Sequence, residues 1–173
     1  MMSLAISEVC DRLKLAKTKT ERTQILKEND NPALRGLLRM NYDSSLVLAL
    51  PEGEPQYQKS TKPTGFGDTT LKASVKGWYV FVKELSPNVR QSKRESLFIN
   101  LIESLDSKEA QVLLDAKDKK LDLGLTKKVI DEVFPGLIKS EGKSNGKKDT
   151  TTKGATTNDG STSSANKSNG ETT

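Results

Sequence analysis

Residues 31–41 read NPALRGLLRMN, and this stretch carries the clearest helix signal in the chain. The side chain of Asn31 can accept hydrogen bonds from the free N–H groups of a first helical turn. Pro32 suits the first helical position because no N–H is needed there. Apolar residues then recur at spacings of three and four, which is typical of an amphipathic helix. The stretch predicts a helix from Pro32 to about Asn41 with one face in a core.

Two helices are predicted before this stretch. Apolar residues recur at helical spacing and predict a first helix over Ser3–Lys17, capped by Ser3. Thr20 is predicted to open a second helix, with Glu21 in its first turn, where an acid suits the helix dipole. Both helices are amphipathic and are expected to contribute to the same core.

The segment that follows residues 31–41 is harder to interpret. Ser44–Leu50 reads SSLVLAL, and periodicity does not separate a helix from a buried strand in so short an apolar run. Its helical neighbours favour a helix. Residues Pro51–Asp68 contain six prolines and glycines and predict a long loop, a feature that is often functional in a compact domain. Phe66, between two glycines of this loop, is interpreted as a buried aromatic rather than a ligand contact.

Further helices are predicted in the second half of the chain. Trp78, the only tryptophan, is predicted to lie in the core, since large aromatics dominate small cores. One predicted helix is capped by Thr69 or Thr70 and runs to about Leu85, and the next spans Gln91–Leu105. A capping box over Asp106–Glu109 begins a third helix. A fourth helix is capped by Thr126 and ends at Pro135. The fold class is therefore all-α, a compact bundle of about six to eight helices with no convincing strand pair.

The composition of the chain changes near Ile138. From Lys139 onward the only apolar residues are Ala155 and Ala165, and such a segment buries too little apolar surface to offset the entropy of ordering it. This predicts a helical domain over 1–138 and a disordered polar tail over 139–173. The formal charge of the chain is +5, of which six lysines and four acids of the tail contribute +2.

Several classes of site are excluded by composition. Cys10 is the only cysteine and there is no histidine, so no internal disulfide, Cys/His zinc site or Ser-His or Cys-His catalytic pair can form. No glycine-rich phosphate loop ends in Gly-Lys-Ser/Thr. No signal peptide or membrane span is apparent. The sequence predicts a non-enzymatic protein with no cofactor, metal or membrane partner, located in the cytoplasm.

The segment Lys117–Lys128 holds five lysines around a turn at Gly124. Thr126, Lys127 and Lys128 fall at a predicted helix start, where free amides and the dipole favour a phosphate. A small hydroxyl with backbone amides is a common way to bind a nucleic-acid backbone. A solvated charged turn is the alternative interpretation.

The segment 124–138, GLTKKVIDEVFPGLI, resembles the end of the N-terminal all-helical DNA-binding domain of ATP-dependent DNA ligases, especially the T-even phage type. The residues that match at the same spacing are Gly124, Thr126, Val129, Val133, Phe134, Pro135, Gly136, Leu137 and Ile138. Residues 25–46, ILKENDNPALRGLLRMNYDSSL, resemble early helices of that domain. The arrangement is also similar to stand-alone helical proteins of T-even-like phages and cyanophages, which implies a bacteriophage source and, if so, the host cell cytoplasm.

The resemblance implies a DNA-binding domain without its catalytic partner. The Lys-x-Asp-Gly nucleophile motif, which follows this domain in ligases, does not occur, so the chain cannot form a lysine adenylate. An Asn-Lys pair of the family is replaced by Asp131 and Glu132. Two acids on a helix that faces DNA in ligases would repel phosphate.

Two functions follow as hypotheses. The first is a non-catalytic DNA-binding accessory protein that binds the backbone of double-stranded DNA without reading sequence. Its predicted contacts are Lys117, Lys119, Lys120, Thr126, Lys127 and Lys128, with Arg35 and Arg39 in addition. The second is a protein-protein interaction or structural role that kept the helical scaffold and lost DNA binding.

Overall fold

The computed structural model describes residues 3–139, and the prediction of a disordered tail falls outside this range except at Lys139. All described residues belong to one compact unit. Within them the fold is all-α, as predicted. The helices are α1 (Ile6–Leu15), α2 (Lys19–Glu28), α3 (Pro32–Tyr42), α4 (Leu71–Ser74), a 3₁₀ helix (Val75–Phe81), α5 (Gln91–Ser104), α6 (Ser107–Lys117) and α7 (Lys127–Val133). Among the described residues, no helix is long and apolar enough to cross a bilayer.

Helix α3 lies at the centre of the core and packs most extensively on α6. Leu34, Leu37 and Leu38 on its inner face are fully buried. A Cβ atom at Gly36 would lie 3.1 Å from the ring of Trp78, so the glycine permits close approach of the indole. Trp78 is 5% exposed, and its predicted place in the core is confirmed.

Most helix starts follow the predicted caps, but two differ. Asn31, Thr70, Asp106 and Thr126 cap their helices as expected. Helix α1 begins at Ile6 after Ala5, so Ser3 is not its cap. The cap of α2 is Thr18 rather than Thr20. Its hydroxyl accepts the Glu21 N–H, and the Glu21 carboxylate accepts the N–H groups of Lys17 and Thr18, which completes a capping box two residues earlier.

The helix prediction for Ser44–Leu50 is wrong, because Ser44 and Ser45 form a turn and the chain after them is extended. The buried carboxylate of Asp43 accepts the backbone N–H and the hydroxyl of Ser45, which stops helix propagation after α3. Ala49 then donates its N–H to Phe81 O over 2.8 Å, and Leu48 forms an isolated antiparallel bridge with Val82. The backbone conformation of this segment is therefore set by its bridge to Val82, a buried residue that is distant in the sequence.

The predicted helix Thr70–Leu85 is shorter and partly 3₁₀ in form. After one α-helical turn the backbone tightens at Val75, and the 3₁₀ helix ends at Phe81. Tyr79, next to the buried Trp78, is exposed because the 3₁₀ helix turns through a larger angle per residue than an α-helix.

Glu109 joins three helices at one point. Asp106 caps α6 as predicted, accepting the N–H groups of Lys108 and Glu109. The fully buried Glu109 carboxylate accepts the first N–H of α1, from Ile6 at 3.2 Å, and the first N–H of α4, from Leu71 at 2.8 Å. The Glu109 carboxylate therefore binds the starts of two other helices and not the start of its own helix, α6.

The long loop Pro51–Asp68 is present as predicted, but Phe66 is 72% exposed, so its predicted burial is wrong. The base of the loop is fixed by Gly65, whose N–H donates to Asp106 Oδ2 at 2.9 Å, and by Thr69, whose N–H donates to Ser104 O at 3.1 Å. Phe66 therefore projects into solvent from a well-anchored turn.

The anchoring makes Gly67 sensitive to substitution. A Cβ there would lie 2.7 Å from Asp106 N and 2.8 Å from Thr69 O, and backbone atoms cannot move aside cheaply. We expect Gly67→Ala to lower the free energy of unfolding by about 2 kcal/mol in urea titrations. Gly77→Ala is the control, since its Cβ meets nothing within 4 Å. Equal effects of the two variants would contradict the tight approach at Gly67.

Candidate nucleic-acid interface

Lys117 does not fit its predicted role as a phosphate contact. Its side chain is 3% exposed and pairs with the carboxylate of Asp118. Its Nζ also donates to Pro51 O at 2.7 Å, which ties the start of the long loop to the end of α6. The structure therefore corrects the sequence prediction and assigns Lys117 to the scaffold.

The backbone of Lys119 ends helix α6 in a left-handed conformation, with φ of 57°. The N–H of Lys119 donates to Ala116 O and that of Lys120 donates to Asp115 O, the paired pattern in which glycine is usual at the left-handed position. A lysine at this position costs about 1 kcal/mol relative to glycine. The side chain of Lys119 offers a compensating interaction.

The Lys119 ammonium caps the end of helix α3. It donates to Met40 O at 2.8 Å and to Asp43 O at 2.7 Å. Burial lowers the pKa of Lys119, with Asp43 opposing the shift and the charge of Lys127 adding to it. Lys119 therefore has a structural role, and its charge lies within electrostatic reach of Lys127.

Both predicted arginine contacts are already paired with acids. Arg35 makes two 2.6 Å hydrogen bonds with the carboxylate of Asp30, and its guanidinium lies 4.9 Å from the ring centroid of Phe134. Arg39 Nε lies 3.7 Å from Asp43 Oδ2. The acid next to each arginine partly neutralises its positive charge, so each arginine attracts a phosphate less strongly than the sequence suggested.

Asp43 is the point at which three parts of the chain meet, and the sequence analysis missed it. Its carboxylate lies next to Arg39 and accepts the Lys139 N–H at 3.4 Å, while its carbonyl accepts from Lys119. Burial alone would raise the pKa of Asp43, but the hydrogen bonds from Ser45 and Lys139 lower it overall. This places the ends of α3 and α6 and the chain after α7 around one buried anion.

Three of the predicted contacts remain available. Lys120, Lys127 and Lys128 are exposed, and no ion pair or hydrogen bond of their ammonium groups is found within residues 3–139. Lys127 and Lys128 line one surface hollow together with Asp131 and Ile138, and Lys120 adjoins Lys119. We call Lys119, Lys120, Lys127 and Lys128 the basic face. Thr126, the cap of α7, uses its hydroxyl to accept the Val129 N–H at 3.3 Å.

The acidic pair beside the basic face is partly neutralised. Glu132 forms a 2.7 Å ion pair with Lys19 of α2, and this hydrogen-bonded lysine is the main reason that its pKa is lowered. Asp131 accepts the Gly136 N–H at 3.1 Å and closes the turn after α7. The repulsion expected from these two acids is therefore reduced.

Arg22 is a further cation that the sequence analysis missed. Its guanidinium packs over Gly124, where a Cβ would lie 2.8 Å from Nη2. Its Nε is buried without a hydrogen-bond partner in the described part of the chain. Only the packing of α2 against α7 brings Arg22 to this turn, so no local sequence signal identifies it.

The fold and the surface define a small all-helical domain with a basic face at the ends of α3 and α6 and the start of α7. Residues 9–123 match the model of a family of unknown function, DUF6433, and the chain belongs to that family. No curated protein matches the chain. The family match ends before residues 124–138, which carry the resemblance to DNA ligases, so that resemblance stays a prediction.

Proposed function

We propose that this domain is a non-catalytic protein that binds the phosphate backbone of duplex DNA without reading base sequence. The observation that carries the proposal is the basic face, in which three exposed lysines, none of them in an ion pair within residues 3–139, lie next to the charge of Lys119. Such a surface attracts phosphates through counterion release, and contacts to phosphates carry no base-sequence information. The expected direct contacts are Lys120, Lys127 and Lys128.

The proposal is tested by the salt dependence of binding. Three phosphate contacts predict a slope of about −2.7 in log K against log salt, or about a 40-fold loss of affinity between 50 and 200 mM salt. The measurement is fluorescence anisotropy with a labelled 20-base-pair duplex. Lys120→Glu/Lys127→Glu is expected to remove most of the affinity, whereas Lys119 is left intact because its side chain caps α3.

A matched control separates a site from net charge. Lys76→Glu/Lys93→Glu changes the charge by the same amount at two exposed lysines of other helices. It is expected to weaken binding far less than the basic-face variant. If both double variants weaken binding equally, or if wild-type binding is insensitive to salt, the basic face is not a DNA site.

One observation favours the protein-interaction alternative. Phe66 projects from an anchored turn, and exposed aromatics on rigid supports are frequent anchors of protein interfaces. Absence of DNA binding by the wild type, in the experiment above, would make this alternative the better proposal.

A further inference from the structure

A groove runs between the extended segment after α3 and the turn that ends α6. Four apolar residues, Leu46, Val47, Leu48 and Leu50, line one wall, and Lys119 and Lys120 line the other. Val47 is 60% exposed although it lies beside a core strand contact. The groove is open along its length, and the described chain does not cover it.

One edge of the extended segment pairs with Phe81 and Val82, and the opposite edge belongs to a residue that lines this groove, Leu48. Alternate residues of an extended strand direct their N–H and C=O groups to opposite edges. Ala49 uses its N–H on Phe81 and its carbonyl on the side chain of Gln91. The main-chain groups of Leu48 therefore face the other edge, and the hydrogen bonds within residues 3–139 include none to them.

The charge of the groove selects among occupants. Asp118 is engaged by Lys117 and by the Gly53 N–H, so the charges left are those of Lys119 and Lys120 against Glu52. Lys120 has no acidic partner in the described chain. The groove thus combines a free main-chain edge, an apolar wall and a net positive wall.

We propose that this groove binds an extended, acidic segment of a protein partner. The segment pairs with the main-chain N–H and C=O of Leu48 as an added strand, which supplies affinity without side-chain specificity. Its apolar side chains contact the wall around Val47. Its alternate carboxylates face the Lys120 ammonium and the positive charge of Lys119 beside it.

The same features disfavour two other occupants. A second copy of the chain, paired edge to edge, would bring Lys119 and Lys120 of both copies together, and its strand SSLVLAL carries no carboxylate to relieve the repulsion. A nucleic-acid strand would place phosphates against a wall of leucines and valine whose side chains have no donors. An acidic peptide alone satisfies both walls.

The test uses the full chain and a fluorescein-labelled hexapeptide of alternating glutamate and valine, followed by fluorescence anisotropy. A hexapeptide of alternating lysine and valine is the charge control and is expected to bind at least tenfold more weakly. Strand addition is tested with two N-methylated glutamate-valine peptides. In one peptide the odd-numbered amides are methylated, and in the other the even-numbered amides are methylated. One of them is expected to lose binding and the other to keep it, because only one edge of the peptide pairs with Leu48.

Two exposed apolar positions provide matched variants. Val47→Glu, inside the groove, is expected to weaken the acidic peptide at least tenfold, and Leu85→Glu, outside the lining, by less than twofold. The proposal would be overturned if the glutamate-valine and lysine-valine peptides bound equally well. It would also be overturned if the two N-methylated peptides bound equally well, or if Val47→Glu and Leu85→Glu had equal effects.

The DNA proposal and the peptide proposal fail separately. Lys127 lines the basic face but not the groove, so Lys127→Glu is expected to weaken duplex DNA and to leave the peptide within threefold. Val47→Glu is expected to weaken the peptide and keep DNA affinity. Two results together would refute a separate groove and show one shared site. The peptide would compete fully with duplex DNA for the wild type, and Lys127→Glu would lose peptide binding.

Discussion

Replacing Glu109 with alanine is expected to lower the free energy of unfolding by about 3–5 kcal/mol, measured by urea denaturation near pH 7. The carboxylate is fully buried and accepts the first N–H groups of two helices, from Ile6 and Leu71. Alanine leaves both donors buried without a partner, and each such donor costs about 1–3 kcal/mol. The effect exceeds that of an ordinary cap because α1 and α4 both lose their attachment to α6.

The control is Glu8→Ala, which removes a carboxylate that accepts only the Ala5 N–H at the exposed start of α1. It is expected to cost about 1 kcal/mol or less, as exposed caps do. Similar losses for Glu8→Ala and Glu109→Ala would mean that Glu109 acts as a local cap and does not join the helices.

Glu109→Gln isolates the charge of the same side chain. Burial raises the pKa of Glu109, with the N–H groups of Leu71 and Ile6 opposing the shift. An acid whose pKa is raised on folding binds its proton more tightly in the native state, so its contribution is most favourable below the ordinary value of 4.5 and declines as pH rises through the raised pKa. The wild type should therefore lose stability relative to Glu109→Gln as the pH rises above 4.5. A constant difference across that range would show that the carboxyl titrates alike in both states.

The helices that the sequence predicted best are those with local signals at their starts. Asn31-Pro32 and Asp106 combine a capping side chain with a following apolar pattern, and both mark true starts. Ser44–Leu50 has an apolar pattern but no cap, and a bridge to Val82 decides its form. The exposure of Phe66 could not be predicted either, because two flanking glycines do not indicate on which side of the turn the ring lies.

The candidate site was predictable as a segment but not as a set of side chains. Of the lysines between Lys117 and Lys128, three are exposed with no ion pair within residues 3–139, whereas Lys117 is buried and Lys119 caps α3. Their division into buried, capping and free groups depends on partners far along the chain, such as Pro51 O for Lys117 and Met40 O for Lys119. Neither carbonyl has a sequence signature, so charge density alone overstated the number of available contacts.

Arg94 is the second position at which a large loss of stability is expected. Its guanidinium is buried in α5 and faces the chain that leaves the 3₁₀ helix. Its Nε donates to Val80 O at 2.7 Å, and its Nη2 donates to Ser86 O at 2.7 Å and to the Ser86 hydroxyl. No carboxylate pairs with it among residues 3–139, so main-chain carbonyls and the Ser86 hydroxyl hold the charge.

Arg94→Ala is expected to cost about 3–4 kcal/mol, because it removes the hydrogen bonds of a buried charged group to Val80 and Ser86 and the packing of the side-chain stem. Arg94→Lys should recover only part of this loss, since one ammonium does not reproduce the planar fork that reaches Val80 and Ser86 together. Arg90→Ala, at the exposed start of the same helix, is the control and should stay within about 0.5 kcal/mol. Full recovery by lysine would mean that the charge, and not the fork geometry, holds the turn between the 3₁₀ helix and α5.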